Sequence, residues 1–336
     1  MKEESRSLRE AHRPPGAIPD ESPEIRIGVS SCLLGEEVRW DGGHKRDTFV
    51  SDLLSKFFTF VPVCPELEMG LGVPRETLRL VRSDGLLRLV APKSGTDHTE
   101  RMERWTARRL RELGALDLSG YILKKNSPSC GLERVRTYDP GGTRMPNDRG
   151  LYAARLMEAF PLLPVEEEGR LNDPALRENF IERVFAGRRL RNFFSRRWTV
   201  GALVAFHTRE KLLLLSHDEP VYRELGRLVA RARQAGLREV ADRYQHLFLK
   251  ALGRLATRTR QTNVLQHAAG HLKTLLTPED RFELTGVIED YRRGLVPLIV
   301  PMTLLRHHVR RYGVATLLGQ SWLEPHPKEL MLRNHA

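Results

Sequence analysis

The sequence predicts an α/β fold, in which an N-terminal Rossmann-like parallel-sheet domain is followed by an all-α C-terminal domain. Through residue 165, short β-branched segments alternate with helical patterns, which is the arrangement of parallel sheets with crossover helices. From Pro174 onward, apolar residues recur at helical spacing. The length of 336 residues also favours two domains, because one domain usually has about 100 to 200 residues.

The α/β domain is predicted over residues 25–165. Its opening strand, 25–30, is short and β-branched and contains a glycine, as buried strands often do. Further strands are predicted at 58–63, 86–91, 120–124 and 162–166. Helices are predicted between them at 47–57, 99–113 and 149–160.

A polar segment at 166–174 marks the change of pattern, so residues 166–197 are predicted to form a linker and a basic helix. Residues 198–336 are predicted to form the all-α domain. The helices expected in this half cover 174–185, 198–215, 220–235, 237–255, 258–276, 278–293 and 300–312.

Residues 1–24 are charged, rich in proline and without the apolar core of a secretory signal. A disordered leader and a cytoplasmic protein are therefore expected. No apolar run approaches the roughly 20 residues that cross a bilayer, so the sequence does not predict a membrane protein.

The chain carries 55 Lys and Arg against 43 Asp and Glu, a formal net charge of +12 at pH 7. The excess lies in the second half, where residues 165–336 hold 29 basic and 19 acidic side chains. A positive field of this kind favours polyanionic partners such as nucleic acid.

Each of the three cysteines follows a predicted strand: Cys32 the first, Cys64 the second and Cys130 the one at 120–124. An odd number of widely spaced cysteines makes a disulfide framework improbable. Because the carboxyl ends of parallel strands share one edge of a sheet, the thiols are expected to converge there. Three thiolates suit a metal ion or an iron–sulfur cluster better than a lone nucleophile. The alternative is that they are buried cysteines that act as small apolar side chains.

Four segments resemble the thiouracil desulfidases (TudS-like) over roughly residues 25–165. They are Ser-Ser-Cys-Leu-Leu-Gly (30–35), Val-Arg-Trp-Asp-Gly (38–42), Pro-Val-Cys-Pro-Glu (62–66) and Ser-Pro-Ser-Cys-Gly (127–131). The region from about 198 to the end is similar to the YbgA-type helical domain often fused behind them, and the whole resembles desulfidases that act on 4-thiouridine in tRNA.

The resemblance implies a [4Fe-4S] cluster held by Cys32, Cys64 and Cys130, with one iron not ligated by protein. That iron would take the sulfur of the substrate, and uridine and hydrosulfide would be the products without net redox change. Glu66 is then the expected proton acceptor for the attacking water, and Ser127 is expected to orient or relay it.

Ser31, Asp41 and Ser129 are the candidates for binding substrate. Ser129 is also the second choice to Ser127 as the catalytic serine. Ser31 alternatively bonds cluster sulfur, and Asp41 alternatively only shapes its Asp-Gly turn. The candidates for RNA binding are arginines interleaved with aromatic residues, namely Arg188, Arg189, Arg191, Arg196 and Arg197. A solvated helix face is the other interpretation of this run.

Nine of the twelve histidines lie in the second half, including the pair His307 and His308. The spacing of His267 and His271 lacks the third ligand and the glutamate of a zinc motif, so structural or RNA-facing roles are preferred. Three functions stay open: desulfuration of tRNA, desulfuration of free thiopyrimidine bases, and RNA binding by a protein whose cluster is structural or a sensor. A dinucleotide enzyme is a weaker candidate because the first strand leads into no G-x-G-x-x-G motif.

Overall fold

The computed structural model describes residues 24–334, so the predicted leader lies outside the described residues except for Glu24. Four parallel strands form the central sheet in the order β2-β1-β5-β8. Their bounds are Arg26–Ser30 (β1), Thr59–Val63 (β2), Gly120–Leu123 (β5) and Val165–Glu167 (β8). The predicted parallel sheet is confirmed for these strands.

A second sheet, of order β4-β3-β6-β7, was only partly anticipated. Its strands are Arg79–Ser83 (β3), Leu86–Val90 (β4), Val135–Tyr138 (β6) and Arg144–Asp148 (β7). The assignment of 86–91 to the parallel sheet is wrong, because this strand pairs antiparallel with β3. Asp84 and Gly85 between them have φ of +52° and +76°, the conformation of a two-residue hairpin turn.

The helices of this domain are Pro65–Glu68 (α1), Thr99–Gly114 (α2) and Leu151–Ala159 (α3). The helix predicted at 47–57 is two short helical turns, Phe49–Leu53 and Leu54–Lys56. Val50 and Leu54 are buried in these turns, and Phe49, Leu53 and Phe57 pack partly buried against the same core.

Seven α-helices dominate the rest of the described chain, in agreement with the predicted all-α half. They are Pro174–Phe194 (α4), Val200–His217 (α5), Glu219–Ala230 (α6), Leu237–Leu252 (α7), Arg258–Gly270 (α8), Pro278–Arg293 (α9) and Ile299–Arg311 (α10). None of the described helices is both long and apolar enough to cross a membrane.

Helix α4 joins the two halves and lies within the segment 166–197 that was predicted to form a linker and a basic helix. Asp173 caps it by accepting hydrogen bonds from the backbone N–H groups of Ala175 and Leu176. Phe180 in its first half packs in the core of the central sheet, whereas Leu190 in its second half packs in the helical core. Each core therefore buries part of the same helix, which holds the domains together.

Candidate functional site

The three cysteines meet at the carboxyl edge of the central sheet. Strands β2, β1 and β5 are neighbours and run in the same direction, so the loops that follow them leave from one edge. Cys32, Cys64 and Cys130 all line one cavity of about 240 Å³ at this edge. The predicted convergence is confirmed.

The loop that carries Cys130 is fixed by short local contacts. Ser127 Oγ accepts hydrogen bonds from the backbone N–H of Ser129 (3.3 Å) and of Cys130 (3.1 Å). A Cβ at Gly150 would lie 2.5 Å from the carbonyl oxygen of Ser129, so only glycine lets the start of α3 approach this closely. The sulfur of Cys130 therefore has a defined place before any ligand binds.

Cys64 is positioned from the start of helix α1. Its backbone N–H donates to Glu68 Oε1 at 2.9 Å, and its Sγ lies 3.7 Å from the carbonyl oxygen of Val38. Cys32 lies in a short turn that ends at Gly35, whose φ of +99° favours glycine. The N–H of Lys45 donates to the Cys32 carbonyl at 2.9 Å and ties the next loop to this turn.

Burial dominates the electrostatics of the thiols. It raises the pKa of Cys32 to about 11 and also raises the pKa of Cys64. The pKa of Cys130 lies well above its ordinary value for the same reason, although hydrogen bonding with Ser30 opposes the shift. Such thiols are poor nucleophiles at neutral pH, whereas a bound metal deprotonates its cysteine ligands.

The spacing of the sulfurs distinguishes a single ion from a cluster. Thiolates about 2.3 Å from one tetrahedral zinc lie roughly 4 Å apart. Among the described residues, the set of three ligand atoms within 4.8 Å of one another consists of Glu178, Glu182 and His326, not of the cysteines. At least two of the three sulfurs therefore lie more than 4.8 Å apart, which suits a cluster of several irons better than one ion.

Glu66 is the carboxylate of the cavity, and both of its oxygens have partners. Oε2 accepts from Arg75 Nη2 at 2.8 Å and Nε at 3.1 Å, and Oε1 accepts from Ser129 Oγ at 3.0 Å. The side chains of Arg75 and Glu66 are only 6% and 14% exposed. Oε1 keeps one lone pair for a further donor, such as a water molecule.

Changing Ser129 to alanine is expected to lower kcat about tenfold or more while iron content stays at the wild-type level. A hydrogen bond to a charged group contributes about 1.5–3 kcal/mol, and Ser129, which does not line the cavity, is connected to it through its bond to Glu66. The loss should fall on kcat and spare KM, and Ser129→Thr should restore part of it. A variant with normal kcat would show that the bond to Glu66 is only structural.

The three serines and Asp41 that were predicted as site residues do not all line the cavity. Ser127 and Ser31 line the cavity as expected, whereas Ser129 is fully buried behind it. Asp41 is not among the cavity-lining residues. Its carboxylate accepts from the N–H of Gly43 at 3.1 Å and lies 3.4 Å from Arg39 Nε, so its contacts are those of a turn residue.

Sequence reasoning missed most of the charge around the cavity. Arg39, Arg75, Lys124 and Lys125 line it, and Glu66 is its only acidic lining residue among those described. Trp40 also lines it with 43% of its surface exposed; the residue was visible in the 38–42 motif but received no role.

Three of the five arginines predicted to bind RNA are engaged inside the protein. Arg188 and Arg191 both pair with Asp117, and Arg191 Nε lies 2.9 Å from Asp117 Oδ1. Arg189 pairs with the buried Glu210 at 2.9 Å and donates to the carbonyl of Pro325. The structure therefore assigns them to intramolecular ion pairs. The remaining two, Arg196 and Arg197, are exposed and stay candidates.

Comparison with known proteins assigns both parts of the chain. Residues 27–168 match the model of a family described as 2-thiouracil desulfurase. The uncharacterized protein YbbK of Bacillus subtilis (strain 168) is 34% identical over 152 residues, which are 44% of this chain and 98% of that protein. The chain belongs to the 2-thiouracil desulfurase family. The region that matches this family contains Cys32, Cys64, Cys130 and Glu66.

Outside the 2-thiouracil desulfurase region, residues 211–327 match a family described as protein of unknown function (DUF1722). The uncharacterized protein YbgA of Escherichia coli (strain K12) is 34% identical over 158 residues, which are 47% of this chain and 94% of that protein. A solved structure, the [4Fe-4S]-dependent thiouracil desulfidase TudS (DUF523Vcz), is 30% identical with a TM-score of 0.38 and covers 47% of this chain and 100% of its own. The resemblance stated from the sequence is confirmed for both parts.

Proposed function

We propose that this protein is an iron–sulfur-dependent desulfidase that converts 4-thiouridine in tRNA to uridine and releases hydrosulfide. The observation that carries the proposal is the meeting of Cys32, Cys64, Cys130 and Glu66 in one cavity, within the region that matches the 2-thiouracil desulfurase family.

The cysteines fit a [4Fe-4S] cluster by number, burial and spacing. Soft thiolates are the usual protein ligands of such clusters, and three of them leave one of four irons without a protein ligand. When bound, the cluster supplies a Lewis-acidic iron with a free position for sulfur. The cavity beside the cysteines leaves room for a substrate at that position.

The reaction replaces the sulfur atom of the base by oxygen and needs no electron donor. A water oxygen bonds to C4 of the pyrimidine, the bond from C4 to sulfur breaks, and the products are uridine, hydrosulfide and one proton. Glu66 is placed to accept the water proton, because Arg75 and Ser129 hold its carboxylate at the cavity. Ser127 Oγ already accepts two backbone N–H bonds, so its own hydrogen is free to donate to a group in the cavity.

Charge and aromatic surface at the cavity favour a nucleotide in RNA over a free base. Lys125 is exposed and adds positive charge beside the cavity, where a phosphodiester backbone would pass, whereas the charge of Arg39 is offset by Asp41. Trp40 presents an exposed aromatic surface on which a neighbouring base can stack. A free uncharged thiobase could stack on Trp40 but would make no use of the positive charge.

A free thiouracil base is the second candidate substrate. The description of the matching family names 2-thiouracil, and the cavity of about 240 Å³ is small enough to enclose little more than a pyrimidine. Both candidates require the same residues at the reacting carbon.

The test uses full-length protein reconstituted with iron and sulfide under anaerobic conditions. Bulk tRNA that carries 4-thiouridine, or free thiouracil, is added, and loss of the near-ultraviolet absorbance of the thiobase is followed together with release of hydrosulfide. We expect both signals with tRNA. Reaction of the free base alone would overturn the choice of tRNA, and reaction of neither by cluster-loaded protein would overturn the desulfidase function.

A further inference from the structure

The helical domain contains a large cleft that no part of the proposed reaction uses. Its volume is about 1120 Å³, above the roughly 300–1,000 Å³ usual for small-molecule sites. One wall is formed by one side of helix α10 along its whole length, from Ile299 to Arg311, and the other by residues between Leu323 and Asn334. A site of this size suits a portion of a polymer better than a metabolite.

The cleft is strongly basic. Its cationic lining residues are Arg306, Arg310, Arg311, Lys328 and Arg333, and among the described residues that line it Glu324 is the only acidic one. His307 also lines the cleft and is exposed. Burial lowers the pKa of His326 to about 4, so this histidine adds no charge at neutral pH.

The cations differ in whether the protein already neutralises them. Arg333 bonds to Glu178 (2.9 Å) and Glu182 (2.7 Å), so it is part of the core. Arg310 lies 2.8 Å and Arg306 3.9 Å from Glu324. Arg306 and Arg310 therefore share one carboxylate, which can neutralise only one of their two charges.

Arg311 and Lys328 are not paired in this way. Neither has a carboxylate within ion-pair distance in the part of the chain that the structure describes, and both are exposed. Basic residues in the last turn of α10 offset its helix dipole, but Lys328 lies outside that helix and faces the same cleft. Two walls therefore present unneutralised charge to one space, which is the arrangement that binds phosphate groups.

The cleft also borders the segment that ties the helical domain to the catalytic one. Leu330 and Leu332 pack in the same apolar core as Cys32 and Leu33, while Leu332 is also a wall residue of the cleft. An RNA held in the cleft therefore lies against the same structural unit that carries the cluster ligands.

We propose that this cleft binds the phosphate backbone of the tRNA substrate, with Arg311 and Lys328 as phosphate contacts. The proposal rests on the tRNA desulfidase function above and moves the main RNA contact away from the arginines of helix α4. RNA fits better than a protein partner because the unneutralised groups are cations, whereas stable protein partners usually bury an apolar centre.

The test compares two charge-reversal variants of the cluster-loaded, full-length protein. One is R311E/K328E. The matched control is R231E/R233E, which makes the same change of charge at two exposed arginines outside the cleft that have no ion-pair partner among the described residues. Binding of unmodified tRNA transcript is measured by filter retention at several salt concentrations, and turnover is measured with bulk tRNA and with free thiouracil.

We expect R311E/K328E to weaken tRNA binding at least tenfold, and to reduce the slope of log K against log salt by roughly 2, since each lost phosphate contact removes about 0.9. Turnover of free thiouracil should stay within twofold of wild type, and the control should bind tRNA normally. If both variants weaken tRNA binding equally, or only the control does, the cleft is not the tRNA-binding site. Turnover of tRNA by the wild-type protein would in that case still support the proposed desulfidase function. Wild-type protein that neither binds nor desulfurates tRNA would overturn both.

Discussion

Replacing Cys32, Cys64 or Cys130 by serine is expected to abolish desulfuration and to leave the purified protein with little or no stable cluster. Each thiol lines the cavity, and a hydroxyl is a hard, weakly acidic ligand that iron–sulfur clusters seldom accept. Iron and acid-labile sulfide are measured after anaerobic reconstitution, together with the visible absorption of the cluster.

The control for these variants is wild-type protein from which the iron has been removed. Far-ultraviolet circular dichroism of this apoprotein and of each variant should agree, because Ser matches Cys in size and the loops are held by backbone bonds such as those to Ser127 Oγ. Three variants that each keep a normal iron content would rule out the cysteines as ligands.

Changing Glu66 to glutamine is expected to keep the cluster and to lower kcat by a factor of about 10²–10⁴, the usual contribution of a positioned general base. The amide keeps the shape of the side chain but cannot accept a proton from water. It also leaves the buried guanidinium of Arg75 without its carboxylate, and loss of one partner of such a pair costs about 3–5 kcal/mol of stability.

Glu76→Gln serves as the matched control. Glu76 is exposed, bonds to Ser94 outside the cavity and lies next to Arg75 in the chain. Its substitution should leave iron content, thermal stability and turnover unchanged. If Glu66→Gln desulfurates substrate at the wild-type rate with a full cluster, another group carries the proton.

The central sheet and the cysteine cluster were predictable because they depend on local pattern and on a general property of parallel strands. Short β-branched runs indicated β1, β2 and β5, and the shared carboxyl edge brought their loops together. The hairpin of the second sheet was missed although Asp84-Gly85 is a typical signature of a two-residue turn.

The contact between Arg75 and Glu66 could not be predicted from the sequence. No motif marks it, and its role depends on a loop that returns the chain to Glu66, nine residues earlier. The arginines of helix α4 show the converse: their charge was visible in the sequence, but their partners were not. Asp117 lies 71 positions before Arg188 in the chain, so only the fold reveals that the charge is neutralised.

The most direct test compares cluster-loaded and iron-free samples of the same preparation and measures hydrosulfide released per mole of protein from bulk tRNA that carries 4-thiouridine. We expect release in proportion to the fraction of protein that holds the cluster, and one uridine formed for each hydrosulfide. Equal release by the iron-free sample would contradict cluster-dependent desulfuration, and no release by a fully loaded sample would contradict the choice of tRNA as substrate.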